Sequence, residues 1–156
     1  MANTMRWRYG DVDPVLAPVA SATVIEIGDV IYLAANLAKP ANALADAGTK
    51  AGNQEALHDA FLGVALSRSR DGDTDPVRVA TRGVFEFPCP AATYELGALL
   101  GVSENGPGTA LVNQQLEAVA AANLSIGRVT QRAASATVVL TAIESTVMHG
   151  GVQAAM

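Results

Sequence analysis

"FLGVALSRSRDGDTDPVRVATRG", residues 61–83, opens on a run of apolar and small residues, breaks on a charged stretch and resumes in a Val-rich run. Short apolar or alternating runs bounded by turn residues predict strands, here over 61–67 and 77–87. The intervening "SRSRDGDTDP" predicts a turn, since Gly and Pro take backbone angles that a continuing strand cannot use. Residues 125–143, "SIGRVTQRAASATVVLTAI", repeat the order: an apolar residue, a glycine, a short run, a polar break and a Val-rich run. They predict strands over 125–130 and 136–143.

The parallel extends upstream. "IEIGDVIYL" (25–33) matches "YELGALLGV" (94–102), with Glu26 and Gly28 answering Glu95 and Gly97, and then Gly63 answers Gly127. Two similar β-modules, each too small to bury its apolar face alone, would share one core. The expected fold is therefore mainly β: a compact β-barrel or β-sandwich of two similar halves, about 22–88 and 93–144, with an extended N-terminal arm over 1–21 and a mobile C-terminal tail over 145–156. Residues 36–57 read as a loop with a helical turn near "NQEALHDA". Residues 93–102 read as a strand pair around Gly97, and 113–123 fit helix or strand equally. If the halves are equivalent, Val79 and Leu140 point inward from matching strands and Arg78 faces solvent. Val139 then faces outward or into a subunit contact.

Composition narrows the function classes. The 156 residues suit one domain, half of them are apolar, only 4% are aromatic and 16% are charged, against about 25% charged in an ordinary domain. Such a surface suits lying against other protein. The net charge of −5 argues against binding a phosphate backbone, which needs clustered Lys and Arg. "MANTMRWRYG" lacks the apolar core of a secretory signal, and no stretch approaches the roughly 20 apolar residues of a membrane helix. With the single cysteine Cys89 no internal disulfide can form, and synthesis in a reducing cytosol is expected.

No residue set stands out as catalytic, cofactor-binding or metal-binding. Asp71, Asp73 and Asp75 have the spacing of a calcium loop, but Pro76 and Arg82 stand where the turn glycine and the bidentate glutamate belong. Cys89 with His58 or His149 would make a small Cys-dependent hydrolase, yet a nucleophile needs a base and a group that orients it, and the spacing supplies neither. Glu26 and Glu95 read as exposed members of alternating strands rather than a carboxylate pair. The one cluster is Arg6, Trp7, Arg8 and Tyr9, residue types enriched as interface anchors; Trp7 could equally close the base of a core. A carbohydrate- or host-surface-binding β-module is the main alternative, and one Trp with three Tyr make a poor platform for it.

Taken together, "LGVALS…VRVATRGVFEFP…TYELGALLGV…LSIGRVTQ…ATVVLTA" resembles the capsid decoration, or cement, proteins of tailed bacteriophages. The likeness spans roughly residues 24–143. The departures are the long arm, the expanded loop at 36–57 and the charged turn at 67–76. The resemblance implies a virion structural protein on the capsid surface, made in the host cytoplasm, with the major capsid protein and neighbouring copies of itself as partners. It implies no catalysis, cofactor, nucleic acid or membrane.

Overall fold

The computed structural model describes residues 4–153. The strands are β1 (Arg6–Tyr9), β2 (Val15–Ala17), β3 (Val30–Ala34), β4 (Leu37–Pro40), β5 (Phe61–Ala65), β6 (Val77–Ala80), β7 (Arg82–Tyr94), β8 (Leu99–Glu104), β9 (Leu111–Ala118), β10 (Gly127–Val129) and β11 (Ala133–Glu144). Helix α1 (Lys50–Ala60) follows β4, and the single turn α2 (Thr146–His149) follows β11. The strands form two antiparallel sheets, a five-stranded one ordered β2-β6-β5-β3-β4 and a six-stranded one ordered β1-β7-β11-β10-β8-β9.

Leaving β1 aside, the two orders are the same. Numbered within each half, both run first, fifth, fourth, second, third. The hydrogen bonds repeat too. Gly28 N donates to Ala65 O as Gly97 N donates to Val129 O, and Leu66 N to Arg78 O as Thr130 N to Leu140 O. By strand order the repeat begins at β2 and at β7, ahead of residues 22 and 93, where the residue markers alone start it. Gly63 and Gly127 occupy one position in it: a Cβ on Gly63 would lie 1.8 Å from Ala80 O, and one on Gly127 would lie 2.5 Å from Ala142 O. No side chain fits between strands that close.

Each sheet curls toward its own far edge. Ala38 N of β4 donates to Pro18 O just after β2, and β7 packs against β9. Alternation along the strands then sends side chains to two faces. In the first half Ile31, Leu62, Ala65, Val77 and Val79 fill the small inner core. Val30, Tyr32, Phe61 and Val64 turn the other way and join the main core with Phe85, Phe87, Leu100, Leu116, Val139 and Ile143.

Several expectations are corrected. Residues 36–57 hold β4 and most of α1, whose N-terminus is capped by Thr49 Oγ1 accepting from Gly52 N. Residues 113–118 of the ambiguous stretch are strand, part of β9. Val79 is buried and Arg78 exposed as expected, but Val139 is buried and Leu140 only half-buried. The register explains the reversal. β5 pairs Ala65 with Val79, and β10 pairs Val129 with Thr141. The partner of Val79 is therefore Thr141, and a shift of one residue exchanges the faces of a strand. The C-terminal segment expected to be mobile is folded back as far as Gln153. Ser145 Oγ donates to Phe61 O at 3.1 Å, Val152 is buried, and Arg128 donates to Gln153 O. Residues 154–156 lie outside the described chain.

A candidate interface on the N-terminal strand and the repeated turns

β1 is the edge strand of the six-stranded sheet, and all four of its side chains are exposed. Arg6 stands opposite Glu86, Trp7 opposite Phe85, and a bulge at Arg8 brings Tyr9 opposite Val84. Trp7 and Tyr9 keep 53% and 54% of their surface in solvent, so Trp7 is not a core residue. The chain around them is anchored all the same. Met5 is buried in the main core, and the backbone N–H groups of Thr4 and Met5 donate to Gln114 Oε1. Farther on, Ala17 and Val19 sit in the first core. The N-terminal segment is extended, and it is part of the body as well as its border.

Gln114 is a junction that sequence reading missed. Its Nε2 donates to Ile27 O and to Asp29 Oδ1 at 2.8 Å, while Asp29 Oδ2 accepts from Glu26 N. One amide thus ties the N-terminal strand, a turn of the first half and a strand of the second. Burial raises the Asp29 carboxyl above the ordinary aspartate value, against the hydrogen bonds from Gln114 and Glu26 that lower it.

The catalytic alternative finds no support in the geometry. Cys89 is buried with its Sγ directed to Ala136 O, and burial pushes its thiol up, the opposite of what a nucleophile needs. His58 Nδ1 lies 2.6 Å from Ser125 O, and His149 Nε2 lies 2.9 Å from Thr81 Oγ1. Both rings are tied to groups remote from Cys89. Asp71, Asp73 and Asp75 lie in an exposed turn, where Asp73 Oδ2 accepts from Arg70 N.

The surface depressions are open to solvent. One of about 90 Å³ lies beside Glu86, Arg132 and Val138, too small for a drug-sized ligand, which needs about 300 Å³ or more. A wider open groove of about 630 Å³ runs past His58, Leu99, Asn123, Arg128 and Gln153. Its two basic side chains are already committed to backbone carbonyls, Arg128 at Gly97 O and His58 at Ser125 O. Among the described residues no cluster of His, Cys, Asp or Glu could hold a metal ion, and no helix is long and apolar enough to cross a membrane.

Glu26 and Glu95, read from the sequence as strand residues, open two equivalent tight turns. Asp29 N donates to Glu26 O and Ala98 N to Glu95 O, each at 3.1 Å, around Gly28 and Gly97 at φ +98° and +82°. Each glutamate pairs with an arginine from the equivalent strand end, Arg68 at 3.3 Å and Arg132 at 2.9 Å. The arginines were findable: each lies five residues after its marker glycine, Gly63 or Gly127. Between glutamate and glycine each turn exposes a branched apolar side chain, Ile27 or Leu96.

Comparison with known proteins adds one match. Residues 42–143 match the family model of the phage cement protein, a span from before α1 to the penultimate residue of β11 that leaves β1 to β4 outside. No curated protein matches the chain.

Proposed function

The chain belongs to the phage cement protein family, and from that membership we propose that it decorates the outer surface of an assembled phage head and stabilises it. The family match carries this reading, and the architecture suits it. Two curled sheets cross-tied by buried hydrogen bonds make a stiff body. The partners proposed are the major capsid protein and neighbouring copies of this chain on the shell. Arg6, Trp7, Arg8 and Tyr9 are proposed as one contact. They lie on a sheet edge, where an added strand satisfies open backbone groups, and aromatic and Arg side chains are effective anchors. A symmetric shell presents many copies of one site, so modest contacts act together.

Co-sedimentation of the purified protein with assembled shells and with unassembled coat subunits tests the proposal. Saturable binding to shells alone, with a raised temperature of shell disruption, is expected. Absence of binding to shells at moderate salt would overturn it.

A further inference from the structure

The two equivalent turns raise a question that the fold does not answer. Gly28 and Gly97 are required by their positive φ. The Glu26–Arg68 and Glu95–Arg132 pairs are at least partly exposed, and such pairs contribute only about 0–1 kcal/mol. Ile27 and Leu96 keep 39% and 71% of their surface in solvent. Elsewhere the halves have diverged freely. Arg78 corresponds to Leu140, and α1 to a short 3-10 turn at Ala122–Leu124. An isolated exposed apolar residue needs no explanation. A branched aliphatic residue at the tip of an equivalent turn, beside an equivalent ion pair, occurs twice in one chain.

We propose that these turns are a matched pair of docking points, each seating its Ile27 or Leu96 tip in one and the same kind of site on neighbouring coat subunits. The inference rests on the decoration reading above. The partner follows from the duplication: two like surfaces on one molecule fit a partner that itself repeats. The acceptor chemistry follows from the turn, an apolar socket for a branched aliphatic side chain with polar groups facing a glutamate and an arginine. The backbone of each turn is fixed by the bonds from Gly28 N to Ala65 O and from Gly97 N to Val129 O, so docking orders little more than side chains. With both points engaged, the second contact is intramolecular, and affinity exceeds that of either alone by about 10²–10⁴.

The test uses the full chain, assembled shells of its own phage and four variants: Ile27→Gln, Leu96→Gln, the double substitution, and Leu16→Gln as control. Leu16 is an apolar residue on β2, outside both turns and about as exposed as Leu96, 68% against 71%. Thermal unfolding of each variant checks that the fold is kept. Either single substitution is expected to weaken shell binding by about a hundredfold, the double to abolish it, and Leu16→Gln to leave it unchanged. Unchanged binding by the double variant overturns the inference while leaving the decoration reading in place. A loss confined to one tip, or an equal loss from Leu16→Gln, also overturns it. Failure of the unsubstituted protein to bind shells overturns the decoration reading instead.

Discussion

Thr141 holds, in the second half, the place that Val79 holds in the first, and both are wholly buried. The valine is satisfied there by packing. The threonine Oγ1 is shut away from solvent without a hydrogen-bond partner, and an unmade bond inside costs about 1–3 kcal/mol. Thr141→Val keeps the shape and removes the orphan. It is expected to stabilise the protein by about 1 kcal/mol, read as a higher denaturant midpoint at unchanged slope; a lower midpoint would show that the hydroxyl has a role. Asp29 is the other informative residue. Its folded carboxyl titrates above the ordinary value of 3.8, so in the window between the two the native state binds more protons than the unfolded chain. Stability from this group is full below the ordinary value and is lost as pH rises through the folded one. Asp29→Asn removes that titration. The wild type should therefore lose stability relative to the variant as pH rises across this acid window, and parallel profiles would refute the assignment.

At the scale of elements, much of the fold is legible in the sequence, and the failures share a cause. The Gly-marked strands, the charged turn at 67–76 and the paired Glu-x-Gly motifs are local features. Local chemistry is what a sequence displays. Register is set across strands. Only the partners Val129 and Thr141 show that Val139 faces inward, and a single-residue slip in matching the halves reverses it. Val139→Ala should cost about 1–3 kcal/mol through lost burial and a residual cavity, and Leu140→Ala clearly less; the opposite order in chemical denaturation would restore the sequence-based alignment. Helix α1 was hard to read because its sequence, KAGNQEALHDA, is small and polar. It buries Asn53, Gln54, Leu57 and His58, three of them polar, and is held by bonds such as Gln54 Nε2 to Val102 O. Of the candidate site, the Arg6–Tyr9 cluster was legible from composition. The twin turns needed the fold, because each ion pair joins residues 42 or 37 positions apart.

For the whole molecule, the repeat divides the N-terminal segment into two parts with different consequences. β1 is an addition, since the second half has its full strand order without it. It covers the edge of β7, whereas the equivalent edge in the first half, β2, is only three residues long and lies between Pro14 and Pro18. Shortness and proline are ways of blunting an edge; the covering strand is another. Removing residues 1–9 should therefore leave both curled sheets folded. The loss of buried Met5 and of the Gln114 bonds should cost about 2–5 kcal/mol, and the uncovered β7 edge should promote self-association. Removing residues 1–21 takes β2, Ala17 and Val19 as well, which opens the first core and uncovers β6. That form should lose cooperative unfolding. Thermal unfolding and light scattering of the two truncated proteins decide between this view and a free arm. If the longer truncation unfolds at the same temperature as the full chain, the N-terminal segment is an appendage that adds nothing to the stability of the body.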